Sequence, residues 1–106
     1  MTTSYRFTPE AVADLFEIWS YIASDNVEAA DRVEAAIYEA CSFLAQSPLS
    51  GQVRKSFTNR PVRFWTVQRF PNYVLVYRPD TQPLEVIRIL HAKQNVQRIL
   101  GQNFSI

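Results

Sequence analysis

Three short runs, VRFWTVQ (62–68), YVLVYR (73–78) and LEVIRIL (84–90), follow one another closely. They are separated by a turn at FPN (70–72) and another at PDTQP (79–83). Each run is rich in β-branched and aromatic residues and bounded by Pro, Asn or Asp, the pattern of a strand. Connections this short leave no room for a crossover, so the three strands must form an antiparallel meander. The rest of the chain has to supply what covers that sheet.

The preceding half changes period. TSYRFT (3–8) alternates and reads as a first strand. Thr8-Pro9 then places an N-cap before a proline at the first helical position, with Glu10 in the first turn. Val12, Leu15, Phe16, Trp19 and Ile22 follow at helical spacing, which predicts a helix over 9–24 with those residues as its apolar stripe. Asp25 with Glu28 resembles a capping box. It opens a second helix whose stripe is Ala30, Val33, Ile37, Ala40, Cys41 and Leu44 and which ends before Pro48. SPLSG (47–51) is a turn. The break between the helices is short, so they pack as an antiparallel hairpin.

Gly51 to Arg60 is a polar linker, with Arg54, Lys55 and Arg60 as solvent-exposed charges. Lys93 to Leu100 is predicted to form a short terminal helix, with Val96, Ile99 and Leu100 packing back onto the sheet. The expected fold is a two-layer α+β domain spanning residues 1–106. An N-terminal strand and a helical hairpin pack on an antiparallel meander sheet (β-α-α-β-β-β, then a short C-terminal helix), with the first strand at one edge. The strands are nearly continuously apolar, which implies at least partial cover on the second face.

Composition removes several classes of function. With 2 Gly in 106 residues, no glycine-rich phosphate loop can be built. No apolar run reaches the length of a membrane span. Arg6, Glu10 and Asp14 occupy the region where a signal peptide would need an apolar stretch. A lone Cys41 on a buried stripe is a core residue, unable to form an internal disulfide, and the expected location is the cytoplasm. One histidine and one cysteine do not make a zinc site, so neither metal nor cofactor is expected.

The net charge of +1 conceals an asymmetry. Residues 1–50 hold eight acidic residues and two basic ones, net −6, whereas residues 51–106 hold nine basic and two acidic, net +7. Such polarity suggests a basic surface for an acidic partner or nucleic acid. The alternative is a pair of ordinary solvated faces that balance each other.

The opening helix FTPEAVADLFEIWSYI, the SPLSG turn, the VLVYR strand and VIRILHAKQN occur in an order and spacing that resemble the ParE/RelE superfamily. These are the toxin halves of type II toxin–antitoxin systems. The likeness covers roughly residues 5–101 and is closest to the ParE branch, in which a strand of the R-[VI]-L-H type precedes a short polar and basic segment. The resemblance implies a cognate antitoxin partner of ribbon-helix-helix type. It would wrap around the toxin, burying apolar positions near the helical hairpin and pairing with basic ones near the sheet. For the ParE branch it also implies DNA gyrase as the target. For the RelE branch it implies ribosome-dependent cleavage of mRNA.

Cleavage by 2′-OH attack needs a base, cations for the phosphorane charge and an acid for the leaving oxygen. Aligned on the hairpin turn, Trp65 and Val67 stand where the nuclease branch commonly carries lysines, and Val74 stands where it carries an arginine. Lys93 falls near another cationic nuclease position, and no tyrosine follows it. A nuclease here would have to rely on Arg63, Arg69, Arg88, His91 and Lys93. In a regular strand Arg88 faces away from His91, because side chains alternate.

His91, the only histidine, therefore reads as structural or interfacial before it reads as catalytic. Trp65 is either core or a partner anchor, since Trp and Arg dominate interface hot spots. The expected partner-binding set is Arg63, Trp65, Arg88, His91, Lys93 and Arg98, with no catalytic residue. A toxin-fold protein that only binds its partner is the remaining alternative.

Overall fold

The computed structural model of the protein describes residues 5–55, 58 and 60–93. The elements run β1 (Tyr5–Phe7), α1 (Pro9–Ala23), α2 (Val27–Gln46), a 3-10 turn (Pro48–Ser50), β2 (Arg63–Thr66), β3 (Tyr73–Arg78) and β4 (Leu84–His91). The expected C-terminal helix, with Arg98, lies outside the described residues.

The meander is as expected: β2 pairs with β3 and β3 with β4, all antiparallel. The strand order is β1-β4-β3-β2. β1 takes the β4 edge and runs parallel to it, so the sheet is mixed. The helical hairpin between β1 and the meander supplies the crossover that a parallel pair requires.

Local chemistry sets the helix ends. The Thr8 hydroxyl accepts from the Ala11 amide at 3.1 Å and donates to the Ile87 carbonyl at 2.7 Å. It caps α1 and ties the cap to β4 at once. At α2 the cap is Asn26, whose side chain accepts from the Ala29 amide at 3.0 Å. The expected Asp25–Glu28 box is displaced by one residue, because Asn26 and Asp25 are both good caps and the tight connection puts Asn26 at the extended position.

The apolar stripe of α1 also differs from expectation. Ala11 and Leu15 are buried, and Ile18 and Ile22 pack against the same cluster. Val12 and Phe16 are exposed, Phe16 at 68%. Leu15 and Ile22 of the expected stripe therefore hold, while Ala11 and Ile18 replace Val12 and Phe16 on the buried face. On α2 the buried residues include Ala30, Val33, Ile37, Cys41 and Leu44, as read from sequence.

Two clusters lie on the two faces of the sheet. The helix-side cluster joins Leu15, Ile37, Cys41 and Leu44 to Val67, Leu75, Tyr77, Val86 and Ile89. The second holds Val62, Phe64, Val76, Ile87 and Leu90.

Tyr77 locks the turn after α2 onto the sheet. Its buried hydroxyl donates to the Pro48 carbonyl at 2.6 Å and accepts from the Gly51 amide at 2.9 Å. A Cβ at Gly51 would collide with that hydroxyl and come within 2.9 Å of the Phe64 carbonyl, which is why SPLSG ends in glycine. Burial raises the Tyr77 pKa above its ordinary value, while the Gly51 amide and Arg63 act in the opposite direction.

Candidate functional site

His91 ends β4 on the helix side of the sheet, paired with Tyr73 of β3. The two rings meet edge to face with centroids 5.3 Å apart. The imidazole accepts at Nδ1 from the Lys93 amide at 3.0 Å, so its proton sits on Nε2 when the ring is neutral. His91 lines a cleft of about 190 Å³ with Asp14, Glu17, Ile18, Tyr21, Tyr73 and Ile89. Burial raises the Tyr73 phenol pKa above its ordinary value, and the nearby Tyr21 hydroxyl adds to that shift.

From Arg88 to His91 the pairing with β3 is regular, so the two alternate as expected, and the extra residue of β4, Ile87, precedes Arg88. The guanidinium reaches α1, where Nε and Nη2 donate to the two Asp14 oxygens at 2.7 and 2.9 Å. The Ile89 amide donates to the same carboxylate at 2.9 Å. These hydrogen bonds, ahead of opposing burial, hold the Arg88 pKa above its usual value. The sequence places Arg88 away from His91. In the folded chain its partner Asp14 lines the His91 cleft.

The other singled-out residues lie toward the far edge of the sheet, with β3 between. Arg63 donates to the Gly51 carbonyl at 2.9 Å and to that of Leu49 at 3.4 Å. Trp65 is half-buried, packing against the helix-side cluster and against Phe43 of α2 with ring centroids 5.2 Å apart. It is thus both core contact and surface. Arg69 pairs with Glu39 at 3.3 Å with both side chains exposed. Ala36, Glu39, Ala40, Phe43, Trp65, Gln68 and Arg69 line a second cleft, about 280 Å³ and mostly apolar.

Three of the five residues a nuclease would use are engaged with other groups. His91 and Lys93 stand at the end of β4, Arg88 is bound to Asp14, Arg63 is bound to the turn after α2, and Arg69 lies beside α2. Val67 is buried in the helix-side cluster, as its apolar character in a catalytic-lysine position demands. Cys41 is wholly buried, and burial pushes its thiol up to about 12. Among the described residues no group of three or more His, Cys, Asp or Glu could hold a metal ion. No described helix is long and apolar enough to cross a membrane.

Sequence reasoning missed Asp14, Glu17 and Tyr21, which share one face of α1 at spacings of three and four. That spacing was the available signal, but the acidic residues read as solubility.

A helical hairpin on a four-stranded mixed sheet, ending in an R-I-L-H strand, is the build of a small toxin of the type II toxin–antitoxin class. The chain belongs to the family described as ParE toxin of type II toxin-antitoxin system, parDE, whose profile matches residues 5–96. It is 32% identical over 95 residues to the protein named "Putative toxin Y4kP" of Sinorhizobium fredii (strain NBRC 101917 / NGR234), covering 90% of this chain and 94% of that one. Among solved structures it is similar to a chain of "Chromosomal ParDE TA system from P. aeruginosa", with a TM-score of 0.68 and 27% identity. That match covers 84% of this chain and 95% of the other. The geometry explains the R-I-L-H strand residue by residue. Arg88 pairs with α1, Ile89 and Leu90 enter opposite cores, and His91 opens onto a cleft.

Proposed function

We propose that this ParE-type toxin acts in the cytoplasm by binding and inhibiting DNA gyrase, and that a cognate ribbon-helix-helix antitoxin neutralises it. The observation that carries the reading is the sequestration of Arg88. Its guanidinium makes two charge-assisted hydrogen bonds to Asp14. A cation so engaged is a structural tie and is poorly placed to take up the charge of a phosphorane. Trp65, Val67 and Val74 in the positions of nuclease cations point the same way. Family membership supports gyrase as the target and a ribbon-helix-helix antitoxin as the partner.

The half-buried Trp65 beside Phe43 is the natural apolar anchor for a partner. His91 and Lys93, with Arg98 beyond the described residues, form the second part of the proposed contact surface. Arg63 and Arg88 contribute by holding their elements in place.

The test is induction of the chain in bacteria, with and without the protein encoded beside it. Filamentation with a DNA-damage response, loss of supercoiling by purified gyrase, and rescue by the neighbouring protein are expected. Rapid arrest of translation with mRNA cleavage would replace this reading with that of a ribosome-dependent endoribonuclease. Unaffected growth would leave a toxin fold that only binds its partner.

A further inference from the structure

The sequence puts His91 on a basic rim, but the cleft it joins in the fold carries an exposed carboxylate, Glu17, beside the Arg88–Asp14 pair. Arg88 neutralises Asp14, and among the described residues neither arginine nor lysine lines the cleft itself. Its remaining walls are two phenol rings, Tyr21 and Tyr73, over a floor of Ile18 and Ile89.

The two carboxylates differ in what they have left to offer. Asp14 already accepts from Arg88 twice and from the Ile89 amide, and its side chain is 12% exposed. An ionised carboxylate has about four acceptor positions, so roughly one remains. Glu17 is exposed, and its charge acts on Arg88 without a direct ion pair among the described residues. Tyr21 is 82% exposed, so its ring is open to a partner group. His91 is held by Lys93 and by the Tyr73 ring, which keeps that wall in place.

A planar cation meets all of these features. Its faces stack on phenol rings, its N–H groups fork onto carboxylate oxygens, and its stem lies along isoleucine. We propose that the cleft between α1 and the end of β4 binds the guanidinium of an arginine presented by a partner polypeptide, with Glu17 as its counter-ion and Tyr21 and Tyr73 as its aromatic walls. Naming that partner as the antitoxin rests on the function proposed above, whereas the arginine site itself does not.

The experiment separates the two. The full chain, labelled for NMR, is titrated with N-acetyl-arginine amide and, as the uncharged isostere, N-acetyl-citrulline amide. Saturable shifts at Glu17, Tyr21, Tyr73 and His91 are expected with the arginine derivative only, in the millimolar range appropriate to one side chain, while Trp65 stays still. In the Glu17→Gln/Tyr21→Ala double variant, whose altered side chains are exposed, the response should disappear with the rest of the spectrum unchanged. Equal shifts with the citrulline derivative, or shifts that survive in the double variant, overturn the site.

The second arm measures binding of the neighbouring antitoxin to wild type and double variant. A loss of about ten-fold or more in the variant assigns the arginine to the antitoxin. Equal binding overturns that assignment, and failure of wild type to bind the antitoxin overturns the proposed function while leaving the arginine site standing.

Discussion

The two flanks of the helical layer each carry an ion pair, one from a helix to β4 and one from a helix to the β2–β3 turn, and the two pairs have different consequences. On the α1 flank, Arg88 and Asp14 are 20% and 12% exposed, and the carboxylate also holds a backbone amide. On the α2 flank, Arg69 and Glu39 are 59% and 68% exposed and meet through one contact at 3.3 Å. Water screens the second pair and largely excludes itself from the first. The charge asymmetry of the sequence is thus partly consumed inside the molecule. Two of the basic half's cations neutralise two of the acidic half's carboxylates. A charge run says nothing about partners until burial shows which charges are spoken for.

The largest expected effect follows from Asp14→Ala. It leaves a mostly buried guanidinium and an amide without their acceptor, and should destabilise the fold by about 3 kcal/mol or more. The readout is the urea midpoint at unchanged m-value. A loss below about 1 kcal/mol would erase the contrast between the flanks.

Trp65→Ala should cost about 2 kcal/mol. That is less than the roughly 3–5 kcal/mol of a fully buried ring, because Trp65 is only half-buried. If Trp65 is also the partner anchor, partner affinity falls further than stability does, and calorimetry on the folded variant separates the two.

His91→Ala removes the edge-to-face contact with Tyr73 and the hydrogen bond from the Lys93 amide at a half-buried position. A loss of about 1 kcal/mol in stability and retained toxicity are expected. A folded, wholly non-toxic variant would return His91 to the role of general base. Glu39→Gln should change stability by less than about 0.5 kcal/mol, with the difference vanishing in high salt.

Cys41 reports on the core beneath both flanks. Its thiol is raised from 9.0 to about 12 by burial in the folded chain. The unfolded thiol therefore ionises first. The associated stability is present below pH 9 and is lost as pH climbs toward 12. Cys41→Ala should flatten that part of an alkaline stability profile. In wild type a thiol reagent should stay silent until unfolding, and Asp14→Ala should speed its reaction more than Glu39→Gln does.

Much of this architecture was legible because it is local. The Thr8-Pro9 cap, the α2 stripe and the meander follow from neighbours within a few residues. The α1 stripe was read correctly at Leu15 and Ile22 and misread at Val12 and Phe16, because Ala11 weighs little beside Phe16 and only the sheet decides which face the helix buries. The choice of Asn26 over Asp25 turned on one residue of backbone geometry. The Arg88–Asp14 pair joins positions 74 apart, which no local pattern announces. The His91 cleft was invisible for the same reason. One wall is helix and the other is strand, and each looks ordinary alone.

The bond from the Ile89 amide to Asp14 also bears on self-association. β1 covers β4 only from Leu84 to Val86, and among the described residues the rest of that long strand has no neighbouring strand on this side. Open edges of this kind recruit other chains and seed aggregates. Here a helix carboxylate and an arginine occupy the edge where the next rung would form. Asp14→Ala protein should therefore be lost to inclusion bodies as well as to unfolding, since the variant exposes a strand-pairing template that the native chain keeps closed.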